Sequence, residues 1–343
     1  MKIRKSKNTK RIANVVCSIG LFLSLLIGGV GGCIVFLYLK MDKINYKPLD
    51  YSIVSPTGTT EDLLTKNTVL NVCFFGLDRR DKSDTKSRSD STMLLSINSS
   101  LKKIKEVSFM RDIYTTIPGY GKNRLNSAIS CGQESLAIKT LQNTFGVKID
   151  KYVTVDFENF KEIINILGGI KISLSAKEAA YINGDLWYYK SKSSPLPVKD
   201  GVYLLDGDKA LSYSRARKIP TPEGLHDDFA RTYRQRTVIV AIFKKISTLG
   251  LKDLLNIIDK LGPCIKTNFA KGEIIALAKN MTKYSAYKIE QFRLPTDDNV
   301  YSENINGMAV LTIPNLKKAR FDLAKFLYED DLKIKEKAKN SYT

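Results

Sequence analysis

The residues best suited to chemistry cluster in residues 69–93, VLNVCFFGLDRRDKSDTKSRSDSTM. An apolar, strand-like run (Val69, Leu70, Val72, Cys73, Phe74, Phe75) stops at Gly76. The polar loop that follows carries Asp78, Arg79, Arg80, Asp81, Asp84, Arg88 and Asp90. Proteins of the α/β class place ligands at the carboxyl ends of buried strands, where such a loop begins. Carboxylates suit a hard divalent cation, and arginines suit phosphate, because a guanidinium presents a planar fork of donors that keeps its charge. The competing reading of this stretch alone is a solvated loop of mixed charge.

Further arginines at element ends favour chemistry. Arg111 follows a strand in Met110-Arg111-Asp112, Arg215 and Arg217 lie in YSRARK (213–218), and Arg231, Arg234 and Gln235 lie in DDFARTYRQR (227–236). Arginines two apart point to opposite sides of a helix but to one side of an extended segment, so Arg215 and Arg217 share a target only where a helix ends. Arg231 and Gln235 fall in the first turns of a helix starting at Asp227-Asp228, where the positive end of the helix favours an anion. Any one arginine is most often a solvated surface charge. Seven at strand or helix ends, with few acids nearby, fit that reading poorly. His226 is the single histidine and reads as a loop residue, so a Ser-His-Asp mechanism has little footing.

The elements that position these residues alternate between strand and helix. Residues 93–97 and 104–109 form a hairpin, 117–121 a turn, and a helix bearing Leu136, Thr140, Leu141 and Phe145 on one face ends at Gly146. After a strand at 152–155, Phe157, Phe160, Ile163, Ile164 and Leu167 recur at helical spacing, and a strand follows at 170–174. Residues 206–214 read as a helix with an aspartate at its start. The long helix from Asp227 buries Ile239, Ile242, Phe243 and Ile246 and carries Arg231, Arg234, Gln235 and Val238 on one stripe. The alternation argues for a sheet covered by helices. Residues 175–205 resist assignment; Trp187, Tyr188 and Tyr189 there read more readily as core aromatics than as a groove lining. Residues 250–330 show a helix near 273–281, strands near 289–294 and 308–313, and a helix at 315–327, with no chemical constellation.

The 343 residues carry a net charge of +20, and the first eleven supply six positive charges and no acid. Such an excess favours a polyanionic partner, or an anionic surface, and fixes no fold. Residues 12–39 contain no charge, and 25 uninterrupted residues from Val15 exceed the length a bilayer requires. This segment reads as a single-pass transmembrane helix, and the basic cluster before it places the N-terminus in the cytoplasm and the remainder outside. The predicted organisation is a basic tail (1–11), the transmembrane helix (12–39), an extracellular linker (40–67), one catalytic domain (68–330) and a charged tail (331–343). Five scattered cysteines without a CxxC pair argue against a disulfide framework or a zinc site.

Taken in order, GLDRR (76–80), RSDST (88–92), MRD (110–112), IPGYG (117–121), DKYVTVDFENF (150–160), LGGI (167–170), LDGDKALSYSRAR (205–217) and DDFARTYRQR (227–236) resemble the motifs of the LytR–CpsA–Psr family across residues 68–330. The resemblance implies a single α-β-α sandwich with a central mixed sheet. It implies a metal-dependent phosphotransferase that moves an anionic glycopolymer (teichoic acid, capsular or similar polysaccharide) from an undecaprenyl-pyrophosphate carrier to peptidoglycan. By position, it assigns Asp78 and Asp90 to Mg²⁺ or Mn²⁺, and Arg80, Arg88, Arg111, Arg215, Arg217, Arg231, Arg234 and Gln235 to the pyrophosphate. Leu77 stands where the family has serine, Met110 where it has proline and Arg236 where it has a second glutamine. None of these removes a charged ligand.

The implied chemistry is consistent with the residues. Phosphoryl transfer demands positioning and charge neutralisation more than covalent help. Asp90, Arg111 and Asp112 form the catalytic group, with Asp90 or Asp112 taking the proton of the acceptor hydroxyl. The lipid requires an apolar cavity, to which the 157–167 and 238–246 stripes contribute. Alternatives are a phosphohydrolase that only cleaves the polyprenyl pyrophosphate, and a non-catalytic cell-envelope binding or regulatory protein. Nucleic-acid binding is disfavoured, because the topology places the basic domain outside the cytoplasm and no recognition-helix motif is present.

Overall fold

The computed structural model describes residues 43–54, 63–79, 87–329 and 331. The proposed transmembrane helix, the basic tail, Arg80 and most of the C-terminal tail lie outside the described residues. Among the described residues, no helix is long and apolar enough to cross a membrane.

A seven-stranded mixed sheet forms the centre. Its strands are β1 (Asn45–Tyr46), β2 (Val69–Leu77), β3 (Ser89–Asn98), β4 (Lys103–Phe109), β7 (Lys151–Asp156), β10 (Lys266–Thr267) and β11 (Lys288–Leu294), in the spatial order β1-β10-β7-β2-β3-β4-β11. β3 runs antiparallel to both β2 and β4, while β7 is parallel to β2 and β11 is parallel to β4. Among the described residues three two-stranded ribbons lie outside it: β5 (Tyr114–Ile117) with β6 (Gly121–Arg124), β8 (Ile170–Leu174) with β9 (Gly201–Leu205), and β12 (Tyr301–Ile305) with β13 (Met308–Thr312).

Side-chain alternation gives the sheet two buried faces. Cys73, Phe75, Leu94, Val107 and Phe109 pack with α1 (Ser127–Phe145) and the C-terminal helix Leu316–Leu327. Phe74, Met93, Val153 and Val155 face the other way, toward α2 (Phe157–Ile166) and α5 (Asp227–Ser247). The result is an α-β-α sandwich. α1 ends where Gly146 takes φ 71°, a left-handed cap that glycine adopts without steric cost. α3 (Ala176–Tyr188), β8, β9 and α4 (Gly207–Arg215) pack into a satellite core beside α5. α4 sits hard against α2: a Cβ on Gly207 would lie 2.3 Å from the carbonyl oxygen of Lys161, so only glycine permits this approach.

Several expectations are corrected. Residues 44–54 and 63–67 are not a bare tether. β1 pairs with β10, Leu49, Val54 and Leu64 are buried in the main core, and Leu64 bridges Val147. Residues 175–205 form helix α3 and strand β9. A helix absent from the sequence reading, α6 (Leu251–Leu261), follows α5. Trp187, Tyr188 and Tyr189 are not core residues; all three are exposed.

Arg234 is also placed differently from its expected role. Fully buried, it donates from Nε and Nη2 to Glu178 Oε1 (3.0 and 2.8 Å), from Nη1 to the carbonyl of Ala216 (3.2 Å) and from Nη2 to that of Ile219 (2.9 Å). It therefore ties α3 and the segment after α4 to α5, and its guanidinium lies wholly inside the fold, away from any substrate pyrophosphate. Every one of its contacts is structural.

β4 carries adjacent buried charges on opposite faces. Lys105 donates to the carbonyl of Phe326 and pairs with Glu329 (3.1 Å), while burial pulls its pKa down. Glu106 faces α5, accepts from Ser108 (2.9 Å) and lies 3.8 Å from Arg236 Nε. Arg236, the departure from the family's glutamine, thus supplies a counter-charge for a carboxylate in the sheet. Burial outweighs that attraction and pushes the Glu106 carboxyl up to about 8.

Removing one partner of a buried ion pair strands the other. Arg234→Met is expected to lower unfolding free energy by about 3–5 kcal/mol, and Arg215→Ala, at a pocket rim, by less than about 0.5 kcal/mol, both measured by urea denaturation. For Glu106, the folded pKa lies above the unfolded value of 4.5, so the folded state holds the extra proton. Its contribution to stability is complete below pH 4.5 and is lost as pH rises toward 8. Glu106→Gln should therefore flatten the decline in melting temperature between these limits.

Candidate active site

The carboxyl ends of β2 and β4 and the start of β3 converge. Gly76 pairs with Ser91 and Leu77 with Ser89, so the register shift leaves Asp90 as the extra residue of a bulge in β3, while Asp78 directly follows the last paired residue of β2. Asp78 N donates to the carbonyl of Arg88 (3.4 Å), drawing together the two ends of the intervening loop. Asn126 N donates to Arg111 O (3.1 Å) and Ser89 N donates to Asn126 O (3.4 Å), so the backbone ties Arg111 and Asn126 to the start of β3.

These ends open into a cavity of ≈ 840 Å³, lined by Asp78, Ser87, Arg88, Asp90, Arg111, Asp112, Arg124, Asn126, Phe157, Tyr181, Asp185, Tyr189, Ser214, Arg215, Arg217, Lys218, Arg231 and Gln235. Of the residues singled out from sequence, Asp78, Arg88, Asp90, Arg111, Asp112, Arg215, Arg217, Arg231 and Gln235 meet here. Arg80 lies outside the described residues, and Arg234 turns away as described. The α5 stripe explains this split, because Arg231 and Gln235 are one turn apart on one line, whereas Arg234 sits about 60° from Arg231 around the helix.

Arg111 Nη1 donates to Asp90 Oδ1 at 2.6 Å, and its Nε lies 3.4 Å from Asp112 and 3.7 Å from Asp228. Burial disfavours the Arg111 cation, yet Asp228, Asp90 and Asp112 together hold its pKa above the ordinary value. Arg124 lies 3.5 Å from Asp112. Arg215 closes α4 and stacks over Phe157 (5.6 Å) and Tyr189 (5.4 Å), donating to the Tyr189 hydroxyl at 3.3 Å.

Asp228 is the site residue that sequence reasoning missed. It accepts from Arg231 Nη2 at 2.8 Å and lies 3.8 Å from Arg217, in addition to Arg111. The i,i+3 spacing of Asp228 and Arg231 was the available signal. One carboxylate is thus shared by three guanidinium groups. Arg231 is buried with Nε and Nη1 lacking any hydrogen-bond partner. Burial drives its pKa down to about 10; Arg111 and Arg217 add to this, and Asp228 opposes it. At neutral pH it remains a cation with unused donors, a surplus suited to an anion with several oxygens.

Asp78 and Asp90, the two carboxylates that the family resemblance assigns to a divalent ion, both line this pocket, and among the described residues no group of three or more Asp, Glu, His or Cys side chains is placed to hold a metal. Two carboxylates leave most coordination positions to water and phosphate, the arrangement Mg²⁺ favours.

A second cavity, of ≈ 220 Å³, shares Phe157, Ser214 and Gln235 with the first and is otherwise almost wholly apolar. Phe74, Met93, Val153 and Val155 form its sheet side, and Phe160, Ile163, Val238, Ile239, Ile242 and Ile246 its helical side. The stripes of α2 and α5 thus line a slot between sheet and helices that opens into the arginine cluster.

Comparison with known proteins agrees with this architecture. The family model LytR_cpsA_psr matches residues 39–323. The chain is 30% identical to the polyisoprenyl-teichoic acid–peptidoglycan teichoic acid transferase TagU of Bacillus cereus, over 84% of this chain and 89% of that protein. It is 27% identical to the transferase TagV of Bacillus subtilis, over 88% and 76% respectively. Among solved structures, TagT bound to LI-WTA superposes with a TM-score of 0.64 at 25% identity, covering 83% of this chain and 99% of that one. The ordered motifs, the mixed-sheet sandwich and these matches place the chain in the LytR–CpsA–Psr family.

Proposed function

We propose that this chain is a phosphotransferase that moves an anionic glycopolymer from a polyprenyl pyrophosphate to peptidoglycan. The observation that carries this reading is the junction of two unlike cavities. An arginine-rich pocket meets an apolar slot at Phe157, Ser214 and Gln235. A prenyl pyrophosphate is the amphiphile that fits both, its tail in the slot and its phosphates among Arg88, Arg111, Arg215, Arg217, Arg231 and Gln235. The relatives named as teichoic acid transferases support the same substrate class.

In this mechanism the arginines neutralise the diphosphate and hold it bidentately, so that little reorganisation is needed as charge redistributes in the transition state. The acceptor hydroxyl oxygen forms a bond to the polymer-bearing phosphorus. The bond from that phosphorus to the bridging oxygen breaks, and the polyprenyl monophosphate leaves with that oxygen. Both oxygens of Asp112 face guanidinium groups, whereas Asp90 engages Arg111 through Oδ1 alone, so we assign the hydroxyl proton to Asp90 Oδ2. Asp78 and Asp90 would hold Mg²⁺ or Mn²⁺, which when bound supplies further neutralisation of the phosphate oxygens. The uncharged run at residues 12–39 would anchor the chain in the cell membrane, with the catalytic domain outside the cell and beside the bilayer that holds the lipid carrier.

Arg111→Ala and Asp90→Ala should each reduce polymer transfer by at least about 100-fold, measured with lipid-linked polymer and peptidoglycan acceptor. EDTA should abolish transfer and Mg²⁺ should restore it. Full activity in both variants, or phosphate release that ignores the acceptor, would contradict the transferase reading.

A further inference from the structure

The arginine-rich pocket has a second wall whose chemistry differs from the guanidinium cluster. Tyr181, Asp185 and Tyr189 all line it, and they come from α3 and its C-cap at intervals of about one turn, so one side of a single helix supplies them. Elsewhere on the same helix, Ile182 and Leu186 are buried in the satellite core, and Glu178 is held by the buried Arg234 (2.8 Å). The wall is therefore fixed to the rest of the fold. Tyr189 N donates to the carbonyl of Asp185 (2.9 Å), and the Tyr189 hydroxyl accepts from Arg215 at 3.3 Å. The α3 wall thus reaches the guanidinium groups while adding no cation of its own to the pocket.

The Asp185 carboxylate is the feature that a phosphate site does not explain. Half-buried, it has no hydrogen-bond or ion-pair partner among the described residues, and neither has the Tyr181 hydroxyl. A phosphate oxygen placed against a carboxylate is repelled, the more so in a partly desolvated pocket. A neutral hydrogen-bond donor is drawn to it, because a charged acceptor makes the stronger bond. Burial and the Asp185 carboxylate push the Tyr181 phenol up, with Arg215 and Arg217 opposing, so this hydroxyl keeps its proton at neutral pH. A charged acceptor, a phenolic hydroxyl and an exposed aromatic ring on one wall complement a saccharide, which offers hydroxyl donors and C–H faces. Position argues the same way. The sugar of a sugar pyrophosphate is bonded directly to the terminal phosphate, and Tyr189 places this wall directly beside Arg215. An exit for a longer chain is also present, since an adjoining cavity of ≈ 610 Å³ meets the pocket at Asp185, Tyr189 and Arg215.

We propose that Tyr181, Asp185 and Tyr189 form the subsite for the first saccharide of the donor, the sugar bonded to the pyrophosphate, and that Asp185 selects it by accepting hydrogen bonds from its hydroxyl or amide groups. These are specificity-determining residues, set apart from the groups that neutralise the phosphates. The remainder of the polymer leaves through the adjoining cavity. This inference rests on the reading of the substrate as a prenyl-pyrophosphate-linked glycopolymer, and its test requires binding without turnover.

The test is calorimetric titration of the full-length protein in detergent with three ligands of equal charge: geranylgeranyl pyrophosphate bearing methyl, glucose or N-acetylglucosamine on its terminal phosphate. The wild-type protein is expected to bind at least one sugar-bearing ligand more tightly than the methyl ester. Asp185→Ala should weaken that ligand by about tenfold or more, and Tyr181→Phe by about two- to fivefold. Neither substitution should weaken the methyl ester, and Asp185→Ala, which removes a negative charge, leaves its affinity unchanged or raises it. Equal losses for the methyl and sugar ligands would show that Asp185 acts on the phosphates, a metal or the fold, and would overturn the proposal. So would a wild-type protein that binds the methyl ester and gains nothing from either sugar. Failure of the wild-type protein to bind any of the three would instead sink the prenyl-pyrophosphate reading, and this inference with it.

Discussion

The site depends on positive charge held out of water with too few carboxylates to balance it. Asp228 is shared among Arg111, Arg217 and Arg231, and Arg231 keeps two buried donors without partners. Like charges brought this close repel, and in a partly desolvated pocket the repulsion is stronger than in water. The fold tolerates it because each cation is anchored elsewhere: Arg111 by Asp90 and Asp112, Arg215 by two aromatic rings, Arg231 by α5 itself. A bound diphosphate would relieve the imbalance, so the cations are preorganised for such an anion.

The sandwich accounts for how these residues meet. Strand ends deliver Asp78, Asp90 and Arg111 from one side, and helix ends deliver Arg215 and Arg231 from the other. The space between the two layers, where α2 and α5 lie over β2 and β7, is the apolar slot. Head and tail sites are therefore two parts of one layer interface. Buried polar pegs hold that interface in register. Arg234 fixes α3 and the 216–220 segment to α5, and the Glu106–Arg236 pair spans β4 and α5.

Much of this was legible in the sequence, because local signals and tertiary roles coincide. The apolar run ending at Gly76, the aspartate before α4 and the stripes of α2 and α5 each state an element and its inward face. The convergence of Arg88, Arg111, Arg215, Arg217 and Arg231 on one cavity follows from their places at element ends. Arg234 misled because a stripe read at i, i+3 and i+4 spans an arc of about 100°, and the partner that claims it, Glu178, lies in a segment with no clear period. Asp228 was overlooked as a helix-start acid, its second role being visible only once Arg111 and Arg217 are brought beside it. The aromatic triplet at 187–189 reads as core because composition does not distinguish a ring that packs from one that stays exposed. Leu49 and Leu64 were hidden in polar surroundings, and only pairing with distant strands reveals why they are buried.

The central claim is that one ligand engages the arginine cluster and the apolar slot together. Calorimetric titration with geranylgeranyl pyrophosphate, compared with inorganic pyrophosphate and geranylgeraniol, addresses it most directly. The account expects the intact amphiphile to bind more tightly than either fragment, with a salt-sensitive contribution from the headgroup and a negative heat-capacity change from the tail. Binding by the alcohol alone that equals that of the pyrophosphate, or no binding of either, would contradict it.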